Sequence, residues 1–142
     1  MNNFPIIDTH AHLDEFSDPG AVIEEARAEG VSAIVAIGQD LASNEKTMAI
    51  ARRHPGVVFA AIGYHPWRLD PEADGDTLAQ IDGNLDRCVA LGEVGLDYKA
   101  KTKKKVQKRV FEELIALAKR HDKPMILHCR YSHARAFQMV KD

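Results

Sequence analysis

Apolar positions along this chain change period repeatedly, from short unbroken runs to helical stripes and back. Ile6 and Ile7 lead into Asp8-Thr9-His10, which reads as a first strand. Asp18-Pro19 then has the form of an N-cap followed by proline at the first helical position. Val22, Ile23 and Ala26 make the apolar stripe of that helix, and Gly30 stands where a helix-ending glycine belongs. Residues 32–38 and 57–63 are continuous apolar runs, the pattern of strands buried on both faces. Between them, Ser43 is placed to cap a second helix, which runs to about Arg53 and stops at His54-Pro55-Gly56. A looser stretch rich in Asp, Gly and Pro contains a short helix from Asp76 to Ile81. Arg87 to Gly92 opens a fourth strand. Val106, Val110, Phe111, Leu114, Leu117 and Ala118 mark an amphipathic helix ending near Asp122. Pro124 to His128 is a fifth strand, and another helix runs from His133 to Val140.

Alternation of strand and helix predicts a parallel sheet with helical crossovers. An open doubly wound sheet and a closed eight-stranded barrel both satisfy it. No Gly-x-Gly-x-x-Gly follows the first strand, which argues against the dinucleotide-binding form of the open sheet. The 142 residues suffice for one domain over 1–142, and 45% hydrophobic with 28% charged residues is ordinary for a globular chain. The formal charge of -2 excludes a global attraction to nucleic acid, so any such contact must come from a local patch. Cys88 and Cys129 read as reduced thiols, and Met1 to Pro5 carries neither a basic n-region nor a long apolar segment. No run is long enough to span a membrane, and a cytoplasmic location is expected.

Candidate chemistry collects where the predicted strands end. Side chains two apart on a strand share a face, so His10 and His12 point the same way with Asp8 in phase. Two imidazoles on one face suit a transition metal, as they also suit a solvated strand end. The later strands add Gln39 and Asp40, then His65, then Glu93 and Asp97, then His128 and Arg130. Glu93 follows an apolar run, where an uncompensated charge is costly; a metal is the favoured compensation, with an Arg or Lys partner as the alternative. His128 reads either as a ligand or as a core histidine, and His65 as a substrate contact or a turn residue. His54 and His121 lie at helix ends and read as structural; His133, opening the last helix near the site edge, stays undecided. The C-terminal edge of parallel strands is where barrel and open-sheet enzymes both place their active sites.

Taken together, Asp8-Thr-His-Ala-His-Leu-Asp14, Gly63-Tyr-His-Pro66, Gly92-Glu-Val-Gly-Leu-Asp-Tyr98, Gln107-x-x-x-Phe111 and Leu127-His-Cys-Arg130 resemble the TatD family of metal-dependent deoxyribonucleases. The motifs stand in family order along the whole chain. The resemblance implies a TIM (β/α)8 barrel of the metallo-dependent hydrolase type, of which this chain supplies about the first five βα units. It implies two divalent metal ions, with zinc, magnesium and manganese all open. On this resemblance His10 and His12 match ligands of one metal, Glu93 a bridging and catalytic carboxylate, and His128 a ligand of the second. The family's later histidine and its proton-accepting aspartate have no counterpart before Asp142. A closed barrel takes about 250 residues, so the resemblance implies a fragment of a longer protein, a second chain completing the barrel, or a self-paired half. Family members often carry Asp-Ala after the arginine, where this chain has Tyr131-Ser132-His133-Ala134.

The expected activity is hydrolysis of DNA or another phosphodiester by a metal-activated water. Two rivals remain: a metal-dependent deacylase or amidohydrolase acting on an ester or amide such as aminoacyl-tRNA, and a non-catalytic barrel fragment acting only in an assembly. Residues 99–109 carry seven Lys or Arg and no acid. Lys103, Lys104 and Lys105 sit at a helix start, where the dipole disfavours cations. They are expected to meet substrate phosphates, against the reading of a solvated helix face.

Overall fold

A computed structural model describes residues 4–141; Met1 to Asn3 and Asp142 lie outside the described residues. Ten main elements alternate without exception. They are β1 (Ile6–Ala11), α1 (Pro19–Ala28), β2 (Val31–Ile37), α2 (Leu41–Arg53), β3 (Val58–Ile62), α3 (Asp74–Asn84), β4 (Ala90–Asp97), α4 (Lys104–Arg120), β5 (Met125–Arg130) and α5 (His133–Lys141). All strand pairs are parallel, and the sheet order is β1-β2-β3-β4-β5. A doubly wound sheet requires the order to reverse at a switch point. Strict succession, with crossovers of one hand, puts every helix on the same side and curls the sheet as an arc of a barrel.

The two faces of the arc carry separate cores. On the helix side, Ile62, Leu91, Val94 and Leu96 pack with Ile81, Leu85, Phe111 and Leu114, and a second cluster joins Ile34, Ala36 and Val58 to Ile23 and Ile50. The inner side holds only a small cluster, Ile37, Ala61 and Ala90, with Val35 and Ile126 against it. Of the two strands expected to be buried on both faces, β3 is buried except at Phe59, and β2 is buried only toward its C-terminal end. β4 is buried along its whole length, but β5 is only partly covered and β1 is exposed, with Ile6 54% and Ile7 58% accessible. The physical reason is position: β1 and β5 are the two edges of the arc, and each has a neighbour on one side only.

Local chemistry sets the element ends. Asp18 accepts the Ala21 N–H and caps α1, with Pro19 following it and Gly30 beyond the helix at φ +96°. The cap of α2 is Asp40 rather than Ser43. Ser43 is the reciprocal partner three residues on: Asp40 Oδ1 accepts the Ser43 N–H, and Ser43 Oγ accepts the Asp40 N–H. The helix expected at 76–81 is longer, Asp74–Asn84. The fourth strand starts later than its apolar run suggests, because Leu85–Arg87 forms a 3-10 turn, and it continues to Asp97.

Two glycines let the arc close up around β4. A side chain on Gly63 would bring its Cβ to 2.5 Å from the Gly92 carbonyl carbon. Gly95 has φ +147°, and a Cβ there would stand 2.1 Å from the His128 carbonyl oxygen. Between Leu91 and Val94 the ladder slips: three steps on β4 match two on β5, from Met125 to Leu127. Leu91 and Val94 therefore both face the helices, and the extra residue re-aims Glu93 to the inner face.

Candidate metal centre

His10 lies on β1 and His12 one residue past its end, where buried Leu13 anchors the following turn. The His12 Nδ1–H donates to the Ile37 carbonyl of β2 at 3.0 Å. That contact leaves the His12 Nε2 lone pair facing the inner side. Asp8, expected in phase with the two histidines, accepts the His10 backbone N–H instead and joins no ligand cluster among the described residues.

Glu93 is the fourth residue of β4, not its end, and is only 9% exposed. Its two carboxylate oxygens look in different directions. Oε2 lies 3.4 Å from His10 Nε2 and 3.9 Å from His12 Nε2. Oε1 lies 3.1 Å from His128 Nδ1. Among the described residues no Lys or Arg pairs with Glu93; its neighbours are imidazoles. The partner that sequence left open between a metal and a basic residue is thus not a basic residue of this part of the fold. Ligand-type atoms of His10, His12 and Glu93 form one close group, and those of His65, Glu93 and His128 another. Each holds nitrogen and oxygen donors of the kind that bind zinc or manganese.

His128 is held from its far side by a residue that sequence reasoning listed without a role. Its Nε2–H donates to Asp97 Oδ2 at 3.0 Å, which turns Nδ1 toward Glu93. A carboxylate behind an imidazole is the common outer support of a metal-bound histidine. Asp97 is fully buried and satisfied on every side. Its Oδ1 accepts the N–H groups of Lys99 and Ala100, its Oδ2 also accepts Trp67 Nε1–H, and its own N–H donates to Gln107 Oε1. Burial alone would raise its carboxyl, but the donors from Lys99, His128 and Trp67 outweigh it and hold the group below the ordinary value.

His65 lies in the loop after β3. Buried Asn44 of α2 fixes the start of that loop by pairing both with the Gly63 N–H and with its carbonyl. The His65 Nδ1 accepts the Trp67 N–H at 3.1 Å, so the neutral ring carries its proton on Nε2. Burial, with the neighbouring His128 adding to it, pushes His65 down to about 4. The ring is therefore neutral at physiological pH and offers an N–H donor beside Glu93 and His128. Gln39, at the end of β2, brings its amide to 3.5 Å from His12 Nε2.

The remaining candidates sit on the rim. Arg130 ends β5 and is exposed. Lys103 is the N-cap residue of α4, with Lys104 and Lys105 in its first turn, all exposed; Lys104 Nζ stands 4.3 Å over the Tyr98 ring. His54 and His121 are helix C-cap residues, away from this cluster. Cys88 and Cys129 are free.

Histidines and a carboxylate gathered on the inner face of successive parallel βα units make a candidate metal site in part of a β/α barrel. Residues 7–142 match the family described as TatD related DNase, and the chain belongs to that family. It is 39% identical over 143 residues to the uncharacterized metal-dependent hydrolase YabD of Bacillus subtilis, covering 96% of this chain and 55% of YabD. It is 32% identical over 127 residues to the 3'-5' ssDNA/RNA exonuclease TatD of Erwinia tasmaniensis, covering 87% of this chain and 49% of that one. The crystal structure of the TatD homologue YJJV from Escherichia coli superposes with a TM-score of 0.84 at 29% identity, over 96% of this chain and 55% of that chain. The chain thus spans about half the length of the relatives it matches and forms part of their TIM barrel. No helix among the described residues is long and apolar enough to cross a membrane.

Proposed function

We propose that the protein carrying this chain is a metal-dependent hydrolase that cleaves phosphodiester bonds of nucleic acid at a two-metal centre. The observation that carries this reading is the opposed presentation of Glu93, with Oε2 toward His10 and His12 and Oε1 toward His128. A carboxylate with one oxygen for each of two histidine groups is what a bridging ligand requires, and a buried carboxylate with no Lys or Arg beside it among the described residues is one that a metal would compensate.

His10, His12 and Glu93 would hold one ion, and Glu93 with His128 the other. Divalent ions in such a site supply charge neutralisation on phosphoryl oxygens and a water acidic enough to attack near neutral pH. This chain's residues orient and donate. The Ile37 carbonyl and the Asp97 carboxylate fix the His12 and His128 rings from behind. His65 Nε2–H is placed to donate to a substrate oxygen beside the cluster. Arg130, Lys103, Lys104 and Lys105 line the approach and meet phosphates. The nuclease names of the relatives support nucleic acid as the substrate over an aminoacyl ester.

The test is hydrolysis of a single-stranded oligonucleotide and of an aminoacyl ester after metal stripping, then with zinc, manganese or magnesium restored. Diester cleavage should require metal and exceed ester cleavage. Glu93→Gln should lower kcat by about 100-fold or more with folding intact. Near-normal turnover of that variant at saturating metal would overturn the bridging role.

A further inference from the structure

Beside the candidate metal centre lies a groove of about 280 Å³ lined by Trp67, Lys99, Ala100, Lys101, Thr102 and Arg130. Its two walls come from the loops after β3 and β4, and one carboxylate ties both to the centre. Asp97 Oδ2 accepts Trp67 Nε1–H at 2.5 Å, and its Oδ1 accepts the Lys99 and Ala100 N–H groups at 2.7 and 3.2 Å. The same Oδ2 accepts His128 Nε2–H. The Trp67 ring centre is 6.0 Å from that of His128 and 5.2 Å from that of His65. Although its edge is pinned, Trp67 is 57% exposed, and Tyr131 beside the groove is 69% exposed with Lys99 Nζ 5.1 Å over its ring.

Charge on the basic segment divides at this groove. Farther along α4, Lys108 pairs with Glu112, and Arg109 with Asp74 and Glu113. Among the described residues, Lys99, Lys101 and Arg130 have no carboxylate partner. Three uncompensated cations around a fixed, accessible indole make a site for a molecule that brings both negative charge and a flat ring. A volume of about 280 Å³ is at the lower end of small-ligand pockets, room for one nucleoside and not for a duplex.

Resting on the nuclease reading, we infer that this groove seats the unpaired nucleotide next to the scissile phosphate. Its base stacks on Trp67, and Lys99, Lys101 and Arg130 hold its flanking phosphates. Stacking on an aromatic ring inside a cationic groove accepts any base but requires a single strand. Asp97 acts as the positioning residue that keeps this platform in register with His128.

Trp67 is the one tryptophan among these 142 residues, so the difference in fluorescence between the parent and Trp67→Phe reports the groove. The probe is an oligo-dT added to the metal-stripped protein, where no turnover occurs. Saturable quenching by oligo-dT, and little by the matching duplex, is expected. By anisotropy of a labelled oligo-dT, Trp67→Ala should weaken binding by about tenfold or more, and Trp67→Phe by less because a stacking face is kept. Lys99→Gln with Lys101→Gln should reduce the salt slope by about 0.7 per lost contact. No quenching, or a Trp67→Ala variant that melts normally and binds oligo-dT as well as the parent, would overturn the inference. If quenching appears but no metal supports diester cleavage, the nuclease reading fails and the single-strand groove stands. Cleavage without quenching has the opposite meaning.

Discussion

At the residue scale, two buried carboxylates sit close together and play different parts. Glu93 faces only imidazoles and lies where a metal would complete its environment, whereas Asp97 is already satisfied by four donors. Sequence placed both near a strand end and singled out Glu93, because a lone acid after an apolar run is costly. Nothing local marks Asp97, since its partners Trp67 and His128 are 30 and 31 positions away. The role implied for Asp97 can be measured. Asp97→Asn keeps the shape but removes the charge behind His128, so calorimetric zinc affinity should fall by about 10- to 100-fold. Thermal melting of the metal-free protein should change far less in relation. Unchanged zinc affinity would make Asp97 a purely structural acceptor.

At the element scale, helices and most strands follow local signals, and β4 departs from them. Asp18-Pro19, the Asp40–Ser43 box and the stripe on α4 are legible because capping and amphipathicity act within a few residues. The sequence opens β4 early, at Arg87, because the 3-10 turn at Leu85–Arg87 precedes it; its end at Asp97 agrees, while Glu93 lies inside the strand beside the slip at Leu91–Val94. His121 illustrates how a helix end gains a second use. It closes α4, and its ring lies 2.8 Å from Asp82 of α3 and 2.7 Å from Asp86, with Arg120 also on Asp82. Hydrogen bonds to Asp82 first, then Asp86, raise the His121 pKa, and the bond from His121 lowers that of Asp82. A raised histidine contributes stability fully below its unfolded value near 6.5 and loses it as pH rises through the folded value. The lowered Asp82 contributes above about 3.9, its unfolded value, and loses that as pH falls. The α3–α4 tie is therefore strongest in mildly acidic solution. The Tm difference between the parent and His121→Gln should be larger near pH ~5.5 than near pH ~9. Equal differences at both would remove the ion pair from the stability of this corner.

At the scale of the whole molecule, the arc of five strands leaves two open edges and an inner face that only a small cluster covers. Ile6, Ile7 and Leu127 are accessible on the edge strands, where unpaired backbone groups invite further strands. The 142-residue chain prepared by itself is expected to bind a hydrophobic dye and to sediment above monomer mass as its concentration rises. A chain of the relatives' full length, tested in parallel, should do neither. A dye-free monomer at all concentrations would show that water alone suffices at these edges. The sequence by itself determined the order of elements and the residue types at the strand ends. It also carried the ordered motifs by which the family resemblance was visible. Those are properties of short windows: helical and strand periods, caps, and His-x-His on one face. Tertiary structure decided succession over reversal in the sheet and turned Glu93 inward through the slip against β5. It also gave Asp97 the join between His128 and Trp67. Each of these depends on parallel pairing between segments some thirty residues apart, and periodicity within one segment carries no information about which segment will lie beside it.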